Sequence, residues 1–440
     1  MSNLTAVVLG DVALVVLVSW LFGGLARRFG QPTVIGQIVA GIALGPTVLG
    51  QLPGDLSNYL FPAGARPFLA MLSQVAIVLF MFVAGYEIDF RTFRAGRTAV
   101  NVAVTALLVP MGLGLAAVQL GGGLFSAVDP AHVGHHSFAL YMAVAVSITA
   151  LPVLAAIVRE RGLAGTAAGT VALAAAGFMD VGAWLVLAAV LSDSGQPAPF
   201  SWMVALVLLV VFTGFLFGVA RPVLRWWTDR PAGLMSNPVP PALVLALGSA
   251  WVTQSLGLHA VFGGFLAGLA MPRRGGAPNA DVLEPMEQTS GALLPLFFVT
   301  TGLSVNIASL GSSDFVLLGV LVLIAILGKS LPAYAVTRLR GMEPRQAALV
   351  AAMVNTRGLT ELIALDVGRS AGLIGQELYA VLVLMALITT FMTGPLLQLI
   401  GEGKDSGRPQ ARPGQRDSHS TTAHSVPAVG VAGEEAGDKS

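Results

Sequence analysis

The chain has 440 residues, 55% of them hydrophobic and only 11% charged, with a net charge of +1 and a mean hydropathy of +0.79. A soluble domain of average composition carries about 25% charged residues, so a large water-soluble protein is excluded, and the near-zero charge leaves no basic footprint for nucleic acid. Cysteine is absent, which also excludes disulfides, thiolate metal sites and cysteine nucleophiles.

Apolar runs of about 20 residues, the length a helix needs to cross roughly 30 Å of hydrocarbon, recur along the whole chain. They predict an all-α polytopic membrane protein with thirteen spans, at 4–26, 33–51, 67–88, 98–121, 137–158, 166–192, 201–220, 240–255, 258–271, 288–304, 315–337, 346–366 and 378–400. The amino terminus has neither a basic n-region nor a small-residue cleavage site, so span one is expected to stay in place. Residues 401–440 are polar and rich in Gly, Pro and Ser, and are expected to form a disordered tail.

Basic residues concentrate in cytoplasmic loops, which tests the count. With the amino terminus outside, the inner loops hold fifteen: Arg27, Arg28, Arg91, Arg94, Arg97, Arg159, Arg161, Arg221, Arg225, Arg230, Arg273, Arg274, Arg338, Arg340 and Arg345. The outer loops hold Arg66 and Arg369, and the tail, placed in the cytoplasm, holds five more. The two that remain, Lys329 and Arg357, lie within spans. A wrong span count would scramble this alternation. The expected location is the inner or plasma membrane, with a cytoplasmic carboxyl terminus.

The chain also resembles itself. GQIVAGIAL (36–44) in span two parallels GGFLAGLAM (263–271) in span nine, and LFMFVAGYEID (79–89) in span three parallels LFFVTTGLSVN (296–306) in span ten. In spans five and twelve, SITALP (147–152) and NTRGLT (355–360) both interrupt apolar runs. Each pairing is shifted by seven spans, and an odd shift inverts the orientation. Repeat one (about 4–192) and repeat two (about 240–400) are therefore expected to be inverted, joined by a linker helix at 201–220. Breaks at membrane depth free backbone groups, which are tolerated only in a cavity or packed in protein, and a matched pair of breaks points to a binding site.

A charge at the bilayer centre costs on the order of 3 kcal/mol by insertion scales, so it requires a partner, a cavity or a function. Asp11, near the start of span one, is expected at the water interface, with Glu87 and Asp366 near span ends; His132, His135 and His136 fall in a solvated outer loop. Asp180 sits in mid-span six with small or apolar neighbours (AAAGFMDVGAWLVLA). Burial penalises its bare charge, so it either takes a cation or a proton in turn or forms an ion pair with Lys329. Lys329, in mid-span eleven, is open to three roles: partner of Asp180, stabiliser of a helix break, or proton carrier. Ser147, Thr149 and Asn355 lend oxygens either to a partly dehydrated cation or to freed backbone groups. Arg357 and Glu361, four apart beside the second break, are expected to form a structural charge pair. No metal-ligand cluster or nucleophile–base pairing occurs at membrane depth, so neither an enzyme, a cofactor nor a metal other than a transported cation is expected.

These stretches, together with AVSITALPVLAAIVRERGL (145–163), MDVGAW (179–184), GKSLPAY (328–334) and MVNTRGLTELIAL (353–365), resemble the cation:proton antiporter-2 family, the group of the Kef potassium-efflux systems and the NapA-type sodium/proton exchangers. The likeness covers about residues 10–400. It implies an inverted-repeat antiporter fold in which two broken helices cross beside the ion site. A core domain of spans four to six and eleven to thirteen would move against a dimerisation domain of spans one to three and eight to ten. The resemblance assigns the ion and proton site to Asp180, the family lysine to Lys329, and the TRG…E residues to Arg357 and Glu361. One position departs: an acidic or polar residue is usual before the aspartate, and here it is Met179. The expected function is exchange of Na⁺ or K⁺ for protons by a homodimer in the lipid bilayer, electroneutral with one fewer titratable group. Export of another cationic substrate, or a non-transporting sensor, are the rival readings.

Overall fold

In the computed structural model, residues 2–54, 56–87, 96–126, 128, 134–163, 165–193, 202–228 and 237–401 are described. The expected disordered tail, from residue 402 onward, and His132 lie outside them. The helices are α1 (Ser2–Arg28), α2 (Thr33–Leu44), α3 (Leu56–Leu60), α4 (Arg66–Glu87), α5 (Gly96–Leu120), α6 (Gly123–Ser126), α7 (His135–Ala145), α8 (Leu151–Glu160), α9 (Ala167–Asp193), α10 (Trp202–Phe215), α11 (Arg221–Thr228), α12 (Val239–Ser255), α13 (Ala260–Ala270), α14 (Ala280–Leu303), α15 (Ser312–Leu339), α16 (Pro344–Val354), α17 (Leu359–Ser370) and α18 (Gln376–Ile400). Every predicted span carries helix, because the apolar runs must satisfy their backbone groups internally. Among the described residues, ten helical stretches are long and apolar enough to cross a membrane by themselves. The broken pair α7–α8, the 17-residue α12 and the 11-residue α13 fall short of that length. Thirteen crossings thus stays an expectation from sequence and is not a count made on the helices.

The helices sort into two packed groups. In one, α4 lies against α13 and α14, α2 against α14 and α1, and α12 against α13. In the other, α5 lies against α15, α7 and α9, while α15 packs on α16 and α18 and α9 on α16. The pairings obey the seven-span shift: α1 with α2 mirrors α12 with α13, and α2 with α14 mirrors α13 with α4.

The repeated glycines explain this. Gly36 abuts the Phe22 carbonyl of α1, and its counterpart Gly263 abuts the Ser249 carbonyl of α12. Gly41 abuts the Val299 carbonyl of α14, and Gly268 the Phe82 carbonyl of α4. Phe82 and Val299 are themselves equivalent in the repeat. At each of the four a methyl group would collide with backbone, so small residues set how closely these helices approach, as in other membrane bundles.

The second group is divided lengthwise between two apolar clusters. One holds Met179, Leu154, Val350 and Leu397. The other takes the opposite halves of the same helices, with Trp184, Tyr141, Leu362 and Leu382. The helix breaks lie at the boundary. This latter cluster also contains Ile38, Ile77, Phe262 and Phe297 of the first group, so among the described residues it carries the apolar packing between the groups.

Candidate ion-binding site

Two chain breaks cross at the middle of the second group. The first, Val146–Ala150, separates α7 from α8; the second, Asn355–Gly358, separates α16 from α17. Glycine is required at Gly358, where φ is +151° and a Cβ would come within 2.7 Å of the Val153 side chain. The breaks are joined directly: the Ala150 amide donates to the Thr356 carbonyl at 3.1 Å, and the Thr149 hydroxyl donates to the Val354 carbonyl at 3.1 Å.

Each half-helix end carries a partial charge, negative at its carboxyl end and positive at its amino end. Arg357 meets the negative end of α7, donating to the Ala145 carbonyl at 3.1 Å and also to the Val146 carbonyl. Its guanidinium pairs with Glu361 at 2.5 Å, and neither side chain is exposed at all. The expected charge pair is therefore present, and Arg357 additionally ties one break to the other. Glu361 in turn lies in the first turn of α17, where its charge opposes the positive end. Lys329, fully buried, reaches from α15 into the first break, donating to the Ile148 carbonyl and, at 2.5 Å, to the Thr149 hydroxyl.

Asp180 lies on α9 at the amino end of α8. Its Oδ2 accepts a long hydrogen bond, 3.4 Å, from the Leu151 amide, and its Oδ1 has no partner although the residue is 4% exposed. Among the described residues Asp180 and Lys329 form no ion pair, so the sequence-level alternative of a mutual salt bridge is set aside. Lys329 spends its hydrogen bonds on the break. Met179, the residue before Asp180, has its sulfur 3.7 Å from the Thr149 hydroxyl.

The other sequence candidates divide. Ser147 donates to the Val144 carbonyl at 2.8 Å, so its hydroxyl serves the broken backbone. Thr149 is engaged as described. Asn355 is fully buried with both side-chain amide atoms unpartnered. Adjacent Thr356, which sequence reasoning passed over, also has a buried, unpartnered hydroxyl. An unpaired polar group buried in an apolar medium costs several kcal/mol, so Asp180, Asn355 and Thr356 each carry an unmet demand for a partner. Thr390 of α18 was missed as well: it donates to the Arg357 carbonyl at 2.9 Å, and no local pattern marks it. Asp11 corrects an expectation. It is 5% exposed with Oδ2 unpartnered, and so is buried against the first group instead of lying in water. His135 and His136 are exposed, as expected, but they begin α7 instead of lying in a loop.

At one end of the molecule a cavity of about 790 Å³ opens between the two groups, lined by Ile77, Phe297, Thr301, Asp366, Arg369 and Gln376, among others. Asp366 and Arg369 form an ion pair across 3.0 Å at its wall. Asp180 does not line it.

Comparison with known proteins supports the same reading. The model of the sodium/hydrogen exchanger transmembrane family matches residues 13–402. The chain is 34% identical over 406 residues to Cation/H(+) antiporter 20 of Arabidopsis thaliana, covering 89% of this chain and 48% of that one. It is 33% identical over 405 residues to the Na(+)/H(+) antiporter NhaS4 of Synechocystis sp., covering 90% and 97%, and 33% identical over 383 residues to K(+)/H(+) antiporter 1 of Saccharomyces cerevisiae, covering 84% and 43%. It thus spans about half the length of the plant and yeast relatives and nearly all of the cyanobacterial one. In fold it is similar to the sodium proton antiporter MjNhaP1 of Methanocaldococcus jannaschii, with a TM-score of 0.58 at 14% identity, over 91% of this chain and all of that one. A family model matching nearly all of the membrane part, on a fold with two crossed broken helices, leaves one conclusion: the chain belongs to the sodium/hydrogen exchanger transmembrane family.

Proposed function

We propose that this protein exchanges a monovalent cation, Na⁺ or K⁺, for protons by alternating access, with Asp180 as the group that carries each in turn. The observation that bears most weight is the state of that carboxylate. It is buried at the junction of two broken helices, with one oxygen on a half-helix amino end and the other unpartnered. A bare carboxylate there is penalised by desolvation, and either a proton or a cation relieves the penalty, which makes the two ligands mutually exclusive. Asn355 and Thr356, on the second break, offer neutral oxygens that no other group engages among the described residues. Arg357, Glu361 and Lys329 hold the broken backbone and do not ligate the ion.

The matched helix pairings and glycine contacts support reading residues 4–192 and 240–400 as inverted repeats around the linker at 201–220. The group containing α5, α7–α9 and α15–α18 would be the moving core, and the other group the face of a homodimer. The distribution of basic residues supports an extracellular amino terminus and a cytoplasmic carboxyl terminus in the inner or plasma membrane.

The test is proton release from everted vesicles on addition of Na⁺, K⁺ or Li⁺. The wild type responds to at least one cation and Asp180→Asn to none; unchanged exchange in the variant sinks the assignment. Because Met179 supplies no second acid and Lys329 is engaged with the break, the exchange is expected to be one for one. Its reversal potential in reconstituted vesicles then ignores the membrane voltage, and a transport current refutes that stoichiometry.

A further inference from the structure

We infer that Trp184 and Phe262 form an apolar gate that separates Asp180 from the cavity between the two helix groups, and that outward access to the ion site requires these two rings to part. The inference rests on the reading of Asp180 as the ion site. Trp184 follows Asp180 by four residues on α9, one turn along the same helix face. Phe262 belongs to α13, in the other helix group. Their ring centroids are 5.5 Å apart at 84°, the edge-to-face geometry that aromatic pairs favour. Both residues are buried, at 6% and 7% exposure.

Their position gives the contact its meaning. Trp184 lies on the half of α9 that packs in the cluster reaching the cavity, whereas Met179 lies in the opposite cluster, so Asp180 sits at the boundary between them. Ile77 and Phe297 line the cavity and belong to the same apolar cluster as the two rings. The route from the cavity to Asp180 therefore crosses this cluster, and the ring pair is the part of it that bridges the groups next to the carboxylate. The helix that carries Phe262 is held in place. Two and six residues further along α13, Gly264 and Gly268 are in backbone contact with Val78 and Phe82 of α4, which fixes the helix. Opening then means displacement of α9 and Trp184 relative to α13. The basic-residue census puts the cavity on the outer face, since its lining includes Arg66, at the start of α4, and Arg369, in the last turn of α17, the two residues that the census assigns to the outer side.

The absence of native cysteine permits a direct test. A single Asp180→Cys protein in oriented vesicles is treated from the outer side with a membrane-impermeant cationic thiosulfonate, and the modification rate is measured alone and with Trp184→Ala. The rate is expected to rise about tenfold, the scale of losing an edge-to-face pair and the area its rings bury. Trp184→Phe, which keeps a ring against Phe262, is expected to return the rate to near that of Asp180→Cys alone. If Trp184→Ala does not yield folded protein, Phe262→Ala makes the same measurement from the opposite group. A rise of less than about threefold in the variant tested, or an equal rise from both faces, overturns the gate. Labelling reads access and not transport, so failure of the gate is distinguishable from failure of Asp180 as the ion site, which the exchange assay with Asp180→Asn reports.

Discussion

Arg357 is the largest fully buried side chain among the described residues, and its replacement by Met tests the architecture of the site most severely. Met approximates the length of the side chain without its charge, so packing is largely kept while three interactions go: the ion pair with Glu361 and the hydrogen bonds to the Ala145 and Val146 carbonyls. Removing one partner of a buried pair leaves an uncompensated charge, which costs about 3–5 kcal/mol. Each abandoned carbonyl adds about 1–3 kcal/mol where water cannot reach it. These contributions share one network and do not add, so the expected loss is that of the ion pair or somewhat more. The assay is the thermal midpoint of the purified protein in detergent, which should fall by many degrees. The companion variant is Arg357→Met with Glu361→Leu. Removing both charges leaves the carbonyls unpaired but no isolated carboxylate, so the double variant should be more stable than Arg357→Met alone. A single variant with an unchanged midpoint, or a double variant no better than the single, would refute the reasoning.

Two further outcomes follow from the same geometry. Lys329→Met unties the Ile148 carbonyl and the Thr149 hydroxyl, so it should cost about 1–3 kcal/mol in stability; because Lys329 is not bonded to Asp180, cation-dependent proton release should survive in everted vesicles, and its complete loss in folded protein would give Lys329 a direct part in ion handling. Gly41→Ala and Gly268→Ala drive a methyl into equivalent carbonyls, at Val299 and Phe82, and should lower the midpoint by similar amounts of about 1–3 kcal/mol each; a large effect at one site with none at the other would break the equivalence of the two repeats.

The placement of the spans was legible because the constraint behind them is local. A helix that crosses hydrocarbon must be apolar over its length and bond its own backbone, so hydropathy alone located helix at every predicted span and both breaks. The glycines of the repeat were legible for a related reason, since close approach of two helices demands a residue without a side chain. The pairing of Arg357 with Glu361 also needed nothing beyond a spacing of four. The rest depended on partners far away in the chain. Lys329 reaches a carbonyl 181 positions earlier, and Arg357 one 212 positions earlier, so no local pattern could tell that Lys329 serves the break in preference to Asp180. The same is true of Thr390, indistinguishable in sequence from the other threonines of its helix, and of Asp11, whose burial is set by how α1 packs on its neighbours. Sequence by itself determined which segments form long apolar helices and placed the Asp180 carboxylate among apolar neighbours in the middle of one of them. Tertiary packing decided which polar groups are engaged by backbone and which remain unpartnered, because that depends on where the two breaks cross.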